Sequence, residues 1–348
     1  MEKRILSICI STFNRPKDVY EKVLSITKCQ SEDFDIIIQD CSTNDETYEL
    51  LKNIRDGRLL YFRKQVKKHD TNSVMDCWKT VLVFADGLFA LNINDRDNIN
   101  IGELPRFISF LKNHTDMAGG VCKNVVGISK YRTIKKAFLH IPYNSYHPSG
   151  VVINTSLLQN IKNIDALFKE ENCYIHPHDL LLAELSCLGP MFSYKRKLWS
   201  LADEISFKNS ASYLYDDNKD VEEFWFSPKN RLIEYELFIE HMISLNLQNE
   251  LIEKKIANIS KRYLYLSTIN YAYFLGDKGQ TAHYGIKPRK VDIKELIDLK
   301  NAYITNSVEV LEKHGIALQQ KKYITLINMY FIYLLIISPI WNIVKKSV

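Results

Sequence analysis

Two groups of residues in this 348-residue chain carry the types and spacing needed for chemistry. The first is the stretch 88–98, an apolar run that ends in Asp95 and Asp97, one residue apart. The apolar part predicts a buried strand, so both carboxylates leave the sheet near the strand's carboxyl end. In open α/β sheets that edge is where ligands bind. Two carboxylates placed there are able to share Mn²⁺ or Mg²⁺, ions usually held by one or two carboxylates together with substrate phosphates. Turn chemistry alone also favours Asn and Asp at a strand exit. The second group is 173–185, where His176 and His178 precede Asp179 and an apolar helical run follows. Asp179 stands at the predicted helix start, a position where a carboxylate caps the helix. The two histidines are either structural or contacts to a metal or phosphate.

The elements that must position these residues follow from hydrophobic periodicity. An apolar run at 5–10 predicts an inner strand, and it ends in Ser11, Thr12, Phe13, Asn14, Arg15 and Pro16. Small polar residues suit a turn over a ligand, and Pro16 suits a helix start. A helix at 18–28 follows, then a second strand at 34–40 that ends in Asp40. Ser42, Thr43 and Asn44 are N-cap residues for a helix over about 46–55. A strand at 58–63 and a helix at 73–85 lead to the strand that carries Asp95 and Asp97. This alternation predicts an α/β fold, a doubly wound, mostly parallel sheet. Right-handed crossovers then bring residues 11–15, Asp40, Asp95 and Asp97 to one cleft. Further on, 100–112 reads as a helix, 118–128 as strand-like and the basic stretch 130–137 as a solvated edge or loop. Residues 146–153 lead from a turn, with Ser149 and Gly150, into a strand, and Gly150 permits close backbone approach. Residues 195–199 offer cations and Trp199, and 216–223 is an acidic, solvated run. Residues 229–274 and 291–314 are helix-patterned.

The stretches 7–16, 35–45 and 94–97, in this order and spacing, resemble the nucleotide-sugar-binding half of family 2 glycosyltransferases of the GT-A fold. The resemblance covers about the first third of the chain. It implies that Ser11, Thr12, Phe13, Asn14, Arg15 and Asp40 bind the nucleotide sugar. It implies that Asp95 faces the ribose and the metal, and that Asp97 coordinates the metal. Arg96 departs from the residues often found inside this triplet, and offers a cation to a diphosphate. The resemblance also makes Asp179 the catalytic base of an inverting enzyme. His178 stands where relatives often carry Glu, and with Ser149 and Gly150 it is expected near the acceptor sugar.

Composition sets outer limits. With 46% hydrophobic and 25% charged residues, a sizeable core is expected and global disorder is excluded. A net charge of +5 suits phosphate-bearing ligands or an anionic membrane and is too small to argue for nucleic acid. Seven cysteines without a Cys-x-x-Cys spacing fit a reducing compartment, so a cytoplasmic location is expected, at the inner face of the cell membrane. The membrane expectation comes from 323–344, which holds no charged residue and lies between Lys321, Lys322 and Lys345, Lys346. Its length approaches the ~20 residues that span a bilayer. Thr325, Asn328, Ser338 and Asn342 share one arc, which favours a helix lying flat, whereas the apolar middle favours insertion. Packing against the body or in an oligomer is the alternative.

The sequence thus predicts a catalytic domain at 1–225, with a nucleotide-sugar half to about 100. A helical subdomain at 226–320 and a membrane-associating or packing helix at 321–348 complete the chain. The expected activity is metal-dependent, inverting transfer of a sugar from a nucleoside-diphosphate donor to a glycan or glycolipid hydroxyl, in surface polysaccharide synthesis. Two rivals are a catalytically inactive glycan-binding or assembly subunit and a nucleotidyltransferase on a similar sheet.

Overall fold

The computed structural model describes residues 3–64, 71–123, 127–144, 147–169, 177–201, 226–283, 285–316 and 319–337. His176, the acidic run 216–223, the 225/226 boundary and the end of the tail beyond 337 lie outside them. The chain divides into two compact units, residues 1–211 and 212–348.

The first unit is built on an eight-stranded sheet ordered β3-β2-β1-β4-β8-β6-β9-β7. Its first half comprises β1 (Leu6–Thr12), β2 (Phe34–Asp40), β3 (Leu59–Arg63) and β4 (Phe89–Asn92). All pairs here are parallel, with Thr12 opposite Asp40 and Cys9 opposite Asn92. Helices α1 (Pro16–Thr27), α2 (Glu46–Leu51) and α3 (Thr71–Val83) make the crossovers. Strand β2 is buried at every position, as expected for a parallel strand covered on both faces. The carboxyl ends of β1, β2 and β4 therefore share one edge.

The second half is mixed. Following the short β5 (Asn98–Ile99) and α4 (Leu104–Lys112) come β6 (Gly119–Cys122), β7 (Gly127–Tyr131), α5 (Ile134–His140) and β8 (Val151–Asn154). The short α6 (Ile164–Leu167) leads to α7 (Pro177–Leu188), β9 (Met191–Lys195) and β10 (Trp199–Ser200). Strand β8 runs antiparallel to β4 and β6, and β7 antiparallel to β9. These two are the reversed strands, so the sheet is mostly parallel, as expected. Antiparallel pairing of Leu91 with Val152 brings the start of β8 to the carboxyl end of β4.

Three local expectations change for identifiable reasons. Helix α4 begins at Leu104 rather than at 100, because Asn98–Ile99 pairs with β10 and the Asn100 N–H donates to Leu198 O at 2.7 Å. The basic stretch near 135 forms α5 rather than a loop. Thr133 caps it, and Ala137 and Phe138 are buried beneath exposed Lys135 and Lys136. The strand-like stretch 118–128 yields two strands rather than one.

The second unit is helical. Its main members are α8 (Pro228–Ser244), α9 (Asn249–Tyr265), α10 (Tyr271–Gly276), α11 (Lys278–His283), α12 (Ile293–Lys313) and α13 (Gln320–Ile337). The long helical pattern at 229–274 breaks after α8, where Asn246 takes a left-handed φ of 50°. Asn tolerates that conformation and commonly ends helices. Helix α13 packs on α9 and α12 through Tyr323, Ile327, Phe331 and Leu334. Among the described residues, no helix is long and apolar enough to cross a membrane.

Candidate active site

The ends of β1 and β2 are tied together by their own turn residues. Asn14 follows β1 with φ 51°, a conformation its side chain tolerates by bonding locally. Its N–H donates to Ser42 Oγ at 2.8 Å, and its Oδ1 accepts from the Thr43 N–H at 3.0 Å. Asp40 is fully buried; it accepts from the Ser42 N–H at 2.8 Å and the Tyr61 hydroxyl at 2.6 Å. The Asp40 carboxylate and burial together push the Tyr61 phenol far above its ordinary value, burial being the larger cause.

Asp95 and Asp97 come off β4 beside this cradle, both buried, but their partners differ. Asp95 accepts from Thr12 Oγ1 at 3.0 Å and pairs with Arg15 at 2.7 Å. That carboxylate holds the Arg15 guanidinium above its ordinary pKa. Asp97 accepts from Ser149 Oγ, whose own oxygen receives the Asn94 N–H at 2.8 Å. His147 Nδ1 stands 3.5 Å from Asp97 Oδ2. Burial pulls the His147 pKa down against the attraction of Asp97, with Arg96 adding to the decrease. Asp97, a covered carboxylate at a strand exit, offers hard oxygen donors that suit a divalent cation, whereas Thr12 and Arg15 already engage both oxygens of Asp95. Among the described residues, the trio whose ligand atoms lie within 4.8 Å is Glu236, Glu240 and His314 in the other unit. There Lys313 already pairs with Glu236, so that cluster reads as an ion-pair network.

Gly150 has φ +90°, and an added Cβ would lie 2.2 Å from Trp199 Nε1. The close approach that the glycine permits is therefore to the Trp199 indole. Trp199 donates to Cys122 O at 3.0 Å and stacks on His147, with ring centroids 5.0 Å apart.

Asp179 lies in the first turn of α7 and is 1% exposed. Its Oδ1 accepts from the Asn144 N–H at 3.4 Å. The preceding residue, Tyr143, is buried with φ 58°, an uncommon conformation for a bulky residue and one often kept at functional sites. His178 is buried, and its ring packs against Trp78 and Phe168.

The sequence-predicted residues thus fall into three hydrogen-bonded groups at one sheet edge: Thr12 and Arg15 on Asp95, Ser149 on Asp97, and Asn14 and Asp40 joined through Ser42. Three participants were not foreseen. Lys22 is buried on α1, where burial lowers its pKa against the pull of Asp95 and Asp97. A lysine inside the stripe Val19, Val23 and Ile26 was the available signal. Tyr61 carries none beyond its strand position. His147 stands just before the predicted strand, in the turn read only for Ser149 and Gly150.

Residues 7–169 match the family model described as Glycosyl transferase family 2. This segment is similar to family 2 glycosyltransferases. A search of curated proteins finds no match. Among solved structures, S. aureus TarS is similar over 87% of this chain and 49% of that chain, with 18% identity and a TM-score of 0.53. The present chain therefore spans about half the length of that protein. S. aureus TarS 1–349 in complex with UDP-GlcNAc is similar over 94% of this chain and 91% of that chain, with 16% identity and a TM-score of 0.55. Likeness at this level is one of fold, and the fold is that of GT-A glycosyltransferases. The first unit accordingly has its buried carboxylates Asp40, Asp95 and Asp97 at the edge where an open α/β sheet binds ligands.

Proposed function

We propose that the protein transfers a sugar from a nucleoside-diphosphate donor to a hydroxyl of a glycan or lipid-linked acceptor, with inversion at the anomeric carbon. The observation that carries this reading is the cluster of Thr12, Arg15, Asp95, Asp97 and Ser149 at the carboxyl edge of the parallel strands. Asp40, with Ser11, Phe13 and Asn14 beside it, takes the base and ribose. Asp97, with Asp95 facing the ribose and the metal, would hold Mn²⁺ or Mg²⁺, which stabilises charge on the departing diphosphate when bound. Arg15, paired with Asp95, keeps positive charge at the same place. A sugar hydroxyl is a poor nucleophile at neutral pH, and the Asp179 carboxylate removes its proton as it attacks. The new C–O bond forms on the face opposite the breaking bond to the diphosphate, which leaves with the electron pair. Ser149, Gly150 and His178 border the acceptor side.

The test is a panel of UDP-, GDP-, dTDP- and CMP-sugars, scored for nucleotide release and for binding by saturation-transfer NMR. UDP-sugars are the first to try, given the UDP-GlcNAc complex of TarS. Release from one donor class, raised by an acceptor glycan or glycolipid, is expected. Binding without release would turn the reading to a glycan-binding or assembly role.

We further propose that α13 lies on the cytoplasmic face of a membrane, where a lipid-linked acceptor for surface polysaccharide synthesis would be met. Its outer face exposes Met329, Ile332, Tyr333, Ile336 and Ile337, next to Lys321 and Lys322. An apolar helix face with flanking lysines is attracted to anionic lipid, in a salt-dependent way. Changing Met329, Ile332 and Ile336 to Ser spares the buried face. This variant is expected to stay folded and to lose flotation with anionic liposomes. Flotation that matches the unaltered protein would remove the membrane assignment.

A further inference from the structure

The metal reading above names two aspartates, but their surroundings are unequal. Both oxygens of Asp95 are engaged, one by Thr12 and one by Arg15, whose charge already balances the carboxylate. Asp97 faces a different neighbour. His147 Nδ1 lies 3.5 Å from Asp97 Oδ2. That separation is one a single cation spans when bonded to each atom at about 2.1 Å. The Nδ1 atom accepts the Ser149 N–H at a long 3.3 Å, so the ring proton of the neutral form sits on Nε2, and a cation takes the Nδ1 lone pair in exchange for this one weak contact. The ring plane is held. Trp199 stacks on it at an interplanar angle of 20°, Trp199 is itself tied to Cys122 O, and Gly150 leaves room for the indole.

We infer that His147, through Nδ1, is a protein ligand of the divalent cation together with Asp97, and that Trp199 fixes its ring for that role. Asp95 then positions Arg15 and the rim of the site. Water and donor phosphate oxygens complete the coordination sphere. The inference rests on the metal reading of Asp97 and adds a nitrogen donor to it. A nitrogen donor favours Mn²⁺ over Mg²⁺, which prefers an all-oxygen shell.

Electron spin echo spectroscopy of Mn²⁺ bound to the full chain tests this, with Mn²⁺ alone and with Mn²⁺ plus UDP or GDP. A directly bound imidazole imprints ¹⁴N modulation on the Mn²⁺ echo. The wild-type protein is expected to show it, and His147→Asn to lose it. That variant should also bind Mn²⁺ at least about tenfold more weakly, with a smaller Mn²⁺ over Mg²⁺ preference. Mn²⁺ that binds wild type, is lost in Asp97→Asn and shows no ¹⁴N modulation would overturn the His147 assignment and leave Asp97 as the ligand. Absence of Mn²⁺ binding in wild type, with either nucleotide, would overturn both. If His147→Asn does not fold, the wild-type spectrum alone decides.

Discussion

Asp179→Asn is expected to lower turnover by a factor on the order of 10² or more while leaving donor affinity in place. The substitution keeps size and a carbonyl oxygen, so the contact from the Asn144 N–H at 3.4 Å survives. What it removes is the ability to accept a proton from the acceptor hydroxyl. A carboxylate that only capped α7 behaves differently. Losing its charge in the first helical turn would cost about 0.3–1 kcal/mol of stability and leave the rate alone. Initial rates, donor calorimetry and thermal melts on one preparation separate the two. A variant that turns over normally but melts earlier would reduce Asp179 to a helix-terminal residue.

The second large effect belongs to Asp97. Asp97→Asn should abolish metal-dependent donor binding, because it removes the buried carboxylate that faces His147 and the proposed diphosphate site. The amide oxygen still accepts from Ser149, so the fold should hold. Asp95 is a poorer probe. Removing its charge leaves Arg15 without its partner, and breaking a covered ion pair is destabilising in its own right. Titration of donor with and without EDTA reads the outcome. Affinity unchanged in Asp97→Asn, with the EDTA effect intact, would move the metal away from this site.

Much of the first half of the sheet was legible because it depends on local forces. Continuous apolar runs marked β1, β2 and β4, since parallel strands are covered on both faces. Small polar residues after each strand marked the turns, and Asn14 takes the left-handed conformation its side chain favours. The family model over residues 7–169 extends past the resemblance seen in the first third. The helical second unit was legible as helix, but its break after α8 was not.

The sequence by itself determined which segments are strands and helices of the first half, and which acids end the strands. Those properties arise from side-chain periodicity and turn chemistry within a few residues. Only the tertiary structure decided the partners. Arg15 and Thr12 meet Asp95 because β1 and β4 are parallel neighbours, with Arg15 and Asp95 80 residues apart along the chain. Ser149 and His147 meet Asp97 because β8 is reversed against β4, and Trp199 reaches His147 because β10 pairs with β5. The exposed apolar face of α13 likewise depends on which face α9 and α12 cover. The parallel direction of β1 to β4 followed from their alternation with helices, whereas the reversal of β8 and the pairing of β10 with β5 come from contacts between distant segments that no local spacing encodes.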